Sequence, residues 1–185
     1  MRTLSISLTA AMTLAAAAAT PAAAEPTHTV CYAGTQTGHT GQLTITNRAV
    51  LERTYDPAHN EIRQRLWSDK NPKKEVDMTG KVDPAANTLE FDDPDLGAKG
   101  TGKLEGKPWH WTTFQMTLTK GDFVVTSTSK VSDTALHQEA RMTNKGKQLG
   151  DVTGDLAAFD CKQLDAKKAE LANAATPAAP AAPAK

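Results

Sequence analysis

The sequence predicts an all-β protein: an antiparallel up-and-down β-barrel of about 8–10 strands, followed by a short C-terminal helix and a disordered tail. Three observations carry this prediction. Apolar and polar residues alternate with period two in the clearest run. Turn signals recur every 10 to 15 residues. Two cysteines, Cys31 and Cys161, bracket the region with these patterns, and no helical periodicity precedes Cys161.

Length and composition restrict the class of protein before any motif is considered. The chain has 185 residues, a formal net charge of zero and 39% hydrophobic residues, which fits one domain with appendages. The neutral charge argues against a nucleic-acid partner. Alanines are concentrated at the two ends, ten in 1–24 and ten in 166–185. The segment 25–165 is therefore lean, with 45 hydrophobic residues among 141.

Residues 1–24 have the organisation of a signal peptide. Met1-Arg2 supplies a positive start, 4–19 is apolar and uncharged, and 21–24 offers small residues for cleavage near Ala24. This pattern predicts removal of the segment after export. A retained membrane anchor is the alternative, but the apolar run is short and no stop-transfer flank follows it. We therefore expect a periplasmic or secreted protein without a membrane span.

Export gives the two cysteines a structural role. In an oxidising compartment an even number of cysteines usually pairs. A Cys31–Cys161 disulfide closes a loop of 131 residues, which stabilises a fold by roughly 4–5 kcal/mol on the chain-entropy model. A redox or metal pair is the alternative, and it lacks C-x-x-C spacing and nearby ligands. Because the pair joins the first and last predicted strands, it favours a barrel over a sandwich.

The first half of the barrel segment is organised around two related turns. The pattern Asp-Pro-Ala-x-Asn occurs at 56–60 and again at 83–87. Aspartate can hydrogen-bond the following backbone, proline sets φ, and asparagine tolerates the left-handed conformation. These turns predict two hairpins of a meander. The strand-like runs of this half, favoured by abundant threonine, are 29–33, 42–46, 51–55, 61–67, 76–82 and 88–91.

The second half continues the meander and adds five runs to the six of the first half. Phe114, Met116 and Leu118 alternate with polar residues, which predicts a half-buried strand. The runs and turns of this half predict strands at 99–105, 109–119, 123–131, 135–143 and 147–159. The predicted organisation is therefore a signal peptide at 1–24 and a barrel at 25–161. Residues 162–185 are then a short helix, contacting the barrel through Leu164 and Leu171, and an Ala/Pro-rich disordered tail.

Four local patterns resemble those of bacterial exported calycin-like, or lipocalin-like, β-barrel domains of unknown function. They are the Tyr-Asp-x-x-x-Asn-x-Ile hairpin at 55–62, the Arg-Leu-Trp at 65–67, the glycine-rich stretch 100–109 and the Asn-Lys-Gly-Lys at 144–147. The resemblance covers roughly residues 40 to 160. It implies a single antiparallel barrel whose interior holds a small apolar or amphipathic ligand.

Aromatic and arginine residues on the predicted strands are the candidate ligand-binding residues. Trp67, Trp109 and Trp111 are candidates to line a cavity, and ordinary core packing is the alternative. Trp109 and Trp111 lie two positions apart and should face the same side. Arg53 shares a face with Leu51 and Tyr55, which makes it the best candidate to bind a carboxylate. Outward exposure is the alternative for every strand arginine, Arg63, Arg65 and Arg141 included.

No residue pattern indicates a catalytic, metal or cofactor site. The five histidines lack the spacing of a zinc pair, and Asp93-x-Asp95-x-Gly97 is only a fragment of a calcium loop. The glycine-rich stretch 97–106 lacks the spacing of a phosphate loop, and a bulged or closely packed strand pair explains it better. No Gly-x-Ser-x-Gly occurs. We therefore expect a protein that is not an enzyme and needs no cofactor.

Three functions remain open at this point. The leading expectation is an exported binding protein for a small hydrophobic or amphipathic ligand held inside the barrel. The first alternative is an envelope interaction module, an inhibitor, assembly factor or complex subunit, whose partner binds through the C-terminal tail. The second alternative is a barrel enzyme that acts on a small molecule. A fully packed interior would count against the ligand-binding protein and the enzyme, and would leave the interaction module as the favoured function.

Overall fold

The computed structural model describes residues 25–93 and 97–175, so the signal-peptide and tail predictions lie outside the described residues. Ten antiparallel strands form one closed barrel in which each strand pairs with its neighbours in sequence and β10 returns to β1. The predicted up-and-down barrel is confirmed. The strands are β1 His28–Thr40, β2 Leu43–Asp56, β3 Glu61–Ser68, β4 Val76–Asp83, β5 Thr88–Asp93, β6 Ala98–Lys107, β7 His110–Lys120, β8 Phe123–Val131, β9 Ala135–Asn144 and β10 Lys147–Phe159.

The seam between the first and last strands carries the predicted disulfide. Cys31 lies opposite Phe159 in the β1–β10 ladder, and the chain turns at Cys161–Gln163 into helix α1, Leu164–Ala175. Cys31 and Cys161 are bonded, with their Cα atoms 5.3 Å apart. The covalent link therefore ties the C-terminal turn to the first strand of the barrel.

The two Asp-Pro-Ala-x-Asn segments form the predicted hairpin turns. Asn60 and Asn87 have φ of 54° and 53°, in the left-handed region, and they end the β2–β3 and β4–β5 turns. The Asp83 carboxylate accepts hydrogen bonds from the backbone N–H groups of Ala85 and Ala86 at 2.9 and 3.0 Å. The aspartate and the asparagines of these turns therefore have the roles that the sequence predicts.

The prediction of separate strands at 42–46 and 51–55 is wrong. Strand β2 runs without a break from Leu43 to Asp56, and β1 is correspondingly longer than the predicted run 29–33. The pairing continues along the whole of β1, from His28 opposite Tyr55 to Thr40 opposite Leu43. The polar residues between the two apolar runs are held in the ladder by β1, so their polarity does not interrupt the strand.

The barrel has two different ends, which we call the mouth and the floor. The mouth is the end at which β1, β3, β5, β7 and β9 finish, and the floor is the end at which β2, β4, β6 and β8 finish. The buried core lies in the floor half and includes Tyr55, Leu104, Trp111, Phe114 and Leu136.

Helix α1 covers part of the outer face of the barrel. Leu171 is buried against Val50 and Trp67, and Leu164 packs at the edge of the same cluster. The predicted helix and its two apolar contacts are confirmed. Val50 and Trp67 alternate along their strands with the core residues Leu51 and Leu66, so their side chains lie on the opposite face of the sheet. The cluster around Leu171 therefore lies on the outer face of the barrel.

The glycine-rich stretch forms strand β6. Its register shifts at Glu105 and Gly106, and Gly100 lies directly opposite Phe91 of β5. The sequence favours a bulge or a closely packed strand pair over a phosphate loop at this stretch, and the structure contains both.

Candidate ligand-binding pocket

Arg53 is the strand arginine that faces the barrel interior. Its side chain is 2% exposed. By contrast, Arg63 and Arg65 form ion pairs with Asp77 and Glu52 on the outer face, and Arg141 is exposed. The shared face that the sequence predicts for Leu51, Arg53 and Tyr55 is the inner face, because all three are buried.

The hydrogen-bond and ring contacts of the Arg53 guanidinium are with neutral groups. Its Nε and Nη2 donate hydrogen bonds to Gln64 Oε1, at 3.1 and 2.7 Å. Its central carbon lies 4.3 Å from the centre of the Phe114 ring, a cation–π geometry. Its Nη1 is buried without a hydrogen-bond partner. In the described part of the chain no carboxylate forms an ion pair with Arg53.

A cavity of about 30 Å³ adjoins this guanidinium. That volume has room for about two water molecules. Apart from Arg53, its walls carry no group that ionises. They comprise Ile62, Gln64, Met78, Gly80, Leu89, Phe91, Phe114 and Met116. The cavity is therefore an apolar pocket with one cationic group and one amide.

Three residues that border the pocket on its mouth side are less buried than their neighbours toward the floor. Met78, Phe91 and Met116 are half-buried, whereas Gly80, Leu89 and Phe114 on the same strands are buried. The half-buried residues lie nearer the mouth along each strand. Methionine side chains are flexible and repack around irregular shapes, so the mouth side of the pocket is its adaptable wall.

Three of the other predicted residues lie on the floor side of Arg53. Tyr55, Trp109 and Trp111 border a separate cleft of about 140 Å³ at the floor, together with His28 and His110. The ring centres of Trp109 and Trp111 lie 5.1 Å apart. The prediction that both lie on one strand is wrong, because β7 begins at His110 and Trp109 lies in the turn before it with φ of 65°. The Trp111 indole N–H donates to Asn87 Oδ1 at 2.8 Å, which satisfies this buried polar group.

The floor is a network of aromatic rings. His28 stacks on Tyr55 with ring centres 4.6 Å apart and on His110 at 5.9 Å. Burial raises the pKa of Tyr32 to about 12, and the nearby Tyr55 acts in the same direction. Tyr32 therefore stays a neutral phenol at physiological pH.

Trp67 lies elsewhere. It is buried on the outer face beneath α1, where Lys168 Nζ lies 4.6 Å from the centre of its ring. The structure therefore brings together Tyr55, Trp109 and Trp111 at the floor cleft, places Arg53 at a different pocket of the interior, and separates Trp67 from both.

Sequence reasoning missed the rest of the Arg53 pocket. Gln64 lies between the inward residues Ile62 and Leu66 of β3, so period-two alternation could have identified it as an inward polar residue. Phe114 and Met116 were recognised as one face of a strand. Their proximity to Arg53 depends on strands far apart in the sequence, and no local signal reports it.

The outer face carries one histidine cluster. His137 lies 2.6 Å from Asp155 through Nδ1 and 3.3 Å from Glu139 through Nε2. Hydrogen bonds to these two carboxylates raise the pKa of His137. Over the described residues, no group of three His, Cys, Asp or Glu side chains is arranged to hold a metal ion.

Comparisons with known proteins add no family. No protein-family model matches the chain, and no curated protein matches it. Residues 25–93 and 97–175 contain no helix with the length and apolarity needed to cross a bilayer.

Proposed function

We propose that the protein is an exported, periplasmic or secreted binding protein for a small amphipathic anion. The anionic head binds Arg53 inside the barrel, and the apolar part points toward the mouth. The proposal is supported above all by the buried Arg53 guanidinium, which has a free Nη1 and no carboxylate partner among the described residues. The proposed relationship to calycin-like ligand-binding barrels rests on the same interior.

The energetics of the free Nη1 favour an anion. Leaving a buried donor without a partner costs about 1–3 kcal/mol. A ligand carboxylate at Nη1 removes that cost and forms a charge-assisted hydrogen bond, which is stronger than a neutral one. The cavity of about 30 Å³ has the size of a carboxylate head and not of a whole lipid. The apolar part must therefore extend past Met78 and Met116.

The same pocket supports binding and not catalysis. General acid–base catalysis needs a group that exchanges protons near neutral pH, and arginine stays protonated throughout that range. The other residues that border the cavity are apolar or, in Gln64, a neutral amide. The residues at hand can hold a charge and exclude water, which is what a carrier or sensor of a small molecule requires.

Calorimetric titration with octanoate, octanol and octylamine tests the proposal. We expect octanoate to bind more tightly than the neutral alcohol, and the amine not to bind. Arg53→Met should weaken octanoate binding roughly 10- to 100-fold, because a hydrogen bond to a charged group contributes about 1.5–3 kcal/mol. Arg53→Lys should retain part of the affinity. Arg63→Met is the matched control, since Arg63 lies on the outer face and pairs with Asp77.

Equal affinity for octanoate and octylamine, or unchanged affinity in Arg53→Met, would overturn this assignment. Absence of heat with every probe would remove the ligand-binding function. An envelope interaction module that acts through residues 162–185 would then become the leading hypothesis.

A further inference from the structure

The floor cleft of about 140 Å³ has an aromatic inner part and a polar rim. The inner part consists of buried aromatic side chains, which are Tyr32, Tyr55, Trp109 and Trp111. The rim consists of exposed polar side chains, which are His110, Thr112, Ser132 and Asp133. A small molecule that enters the cleft therefore meets aromatic surface inside and polar groups at the opening.

Trp109 borders the cleft from a backbone conformation that is unusual for a bulky residue. Trp109 and Pro108 form the two-residue turn between Lys107 and His110, which pair across β6 and β7, and Trp109 has φ of 65°. Glycine is the favoured residue at a turn position of positive φ that follows proline. Among the described residues, the other non-glycine residues with positive φ are two asparagines and an exposed lysine. Strained positions of this kind cluster at ligand sites.

Two groups of rings meet at this cleft. The Trp109 and Trp111 rings form the first group and are tilted by 59° to each other. In the second group, His28 stacks on Tyr55 and on His110 with interplanar angles of 13° and 14°. The Glu25 Oε2 atom lies 3.1 Å from His110 Nε2 and anchors that ring at the rim. The cleft therefore offers aromatic surface from five side chains of three different floor segments.

The volume of the cleft matches a single six-membered ring. An apolar cavity of about 150 Å³ holds one benzene molecule, and the cleft measures about 140 Å³. Aromatic rings attract each other in offset-stacked or edge-to-face arrangements, and the rings that border the cleft supply partners for both. Size and lining therefore favour a small aromatic ring over an acyl chain.

Two charges favour a neutral ligand. The Asp133 carboxylate lies at the rim and, in the described part of the chain, accepts no hydrogen bond and forms no ion pair. It repels an anion and attracts a hydrogen-bond donor. A cation is disfavoured by the buried Arg53 guanidinium, which lies 4.3 Å from the centre of the Phe114 ring. The Phe114 ring in turn lies 6.5 Å from that of Trp111.

We infer that the floor cleft is a second ligand site, and that it takes a small neutral phenol. The aromatic ring of the phenol packs against Trp109, Trp111 and Tyr55, and its hydroxyl group donates to the Asp133 carboxylate. This inference goes beyond the Arg53 pocket and does not depend on it. The Arg53 cavity of about 30 Å³ is too small for an aromatic ring, so the two sites select different molecules.

An NMR titration of the full chain with phenol, anisole and cyclohexanol tests the site. Phenol should shift the indole N–H signals of Trp109 and Trp111 to saturation and leave the Arg53 Nε–H signal in place. Anisole has the same ring without the donor, so it should bind roughly 3- to 10-fold more weakly, the contribution of one hydrogen bond. Cyclohexanol has the donor without the aromatic ring and should also bind more weakly than phenol.

Replacement of Trp109 should weaken phenol binding and keep octanoate binding. Glycine and asparagine both tolerate the left-handed conformation, so Trp109→Gly and Trp109→Asn keep the turn and remove the ring. Each should weaken phenol binding roughly 5- to 150-fold, the contribution of one aromatic stacking partner. Trp109→Tyr should retain part of the affinity. Lys145→Gly is the matched control, because Lys145 also has positive φ, 50°, and lies in the turn between β9 and β10 at the mouth.

The rim carboxylate has its own test. Asp133→Ala removes the acceptor, so phenol and anisole should bind this variant with equal affinity. Asp133 is exposed, so its replacement should leave the melting temperature close to that of the parent. The Asp133→Ala result therefore stands even where replacement of the buried Trp109 lowers stability.

Three results would overturn the inference. They are the absence of saturating indole shifts with phenol, a phenol affinity in Trp109→Asn equal to that of the parent, and tighter binding of glucose than of phenol. The last would identify the cleft as a sugar site. Arg53→Met should lose octanoate affinity and keep phenol affinity, so failure of the pocket and failure of the cleft give different patterns.

Discussion

Replacement of Gly100 by alanine probes how tightly the pocket wall is packed. Phe91 and Gly100 face each other across β5 and β6, and the aromatic ring occupies the space where a side chain at 100 would lie. A Cβ on Gly100 would be 2.1 Å from Phe91 Cζ and 2.4 and 2.5 Å from its two Cε atoms. These distances are far inside van der Waals contact, so the ring must move, and the Arg53 cavity is beside it.

The expected cost follows from two opposing effects. Forcing an extra methyl group into a packed site costs about 1–3 kcal/mol. Replacing glycine by alanine in a strand returns about 0.5–1 kcal/mol of backbone entropy. Gly100→Ala should therefore lower the free energy of unfolding by about 0.5–2 kcal/mol. It should also weaken octanoate binding, because the displaced ring occupies the cavity of about 30 Å³.

Urea unfolding followed by circular dichroism measures this change, with Gly38→Ala as the control. A Cβ on Gly38 first meets Val152 Cγ2 at 3.6 Å, an ordinary contact, so Gly38→Ala should be neutral or stabilise the barrel by up to about 1 kcal/mol. In a Phe91→Ala background the cost of Gly100→Ala should disappear. The packing argument fails if Gly100→Ala is as stable as the parent, or if both glycine variants lose the same stability.

Three further perturbations test other parts of the account. Replacing both Cys31 and Cys161 by alanine should cost about 5 kcal/mol in urea unfolding, from the entropy of a 131-residue loop, and a loss below about 1 kcal/mol would contradict this. Leu171→Ala should cost about 2–3 kcal/mol and shift the emission of Trp67 to the red, since Leu171 is buried against that ring; unchanged emission would show that α1 does not shield it. The raised pKa of His137 stabilises the fold at pH below its unfolded value of 6.5, and the contribution disappears as pH rises through the folded pKa. His137→Gln should therefore be less stable than the parent at pH 5.5, by about 0.5 kcal/mol for so exposed a site, and equally stable at pH 8.5, whereas a larger difference at the higher pH would reverse the sign.

Local chemistry made most of the fold predictable. The two asparagines of the Asp-Pro-Ala-x-Asn turns adopt the left-handed φ that their residue type tolerates. The two cysteines at the ends of the barrel region identified the closing seam, because the predicted export favours pairing and two cysteines allow only one pair. The prediction of a break within β2 was wrong because pairing with β1 holds this strand together. The alternation of residues within a single strand gives no information about its partner.

The candidate site was predictable only in part. The alternation of residues along β2 placed Arg53 on the face of Leu51 and Tyr55. On β3, Leu66 and Trp67 are adjacent apolar residues, and alternation does not show which of the two faces the interior. Helix α1 decides that question, because it buries Trp67 from outside. The neutral contacts of the Arg53 guanidinium come from Gln64 and Phe114 on two other strands. Such a juxtaposition follows from barrel closure and register.

The most direct test of the central claim observes the Arg53 guanidinium while a ligand is added. In a titration with octanoate, ¹⁵N-resolved NMR should show the Arg53 Nε–H signal shifting and saturating with the calorimetric affinity. The indole N–H signals of Trp109 and Trp111, which border the floor cleft, should move little. A fixed Arg53 signal with saturating shifts at those two indoles would place the ligand at the floor and contradict the account.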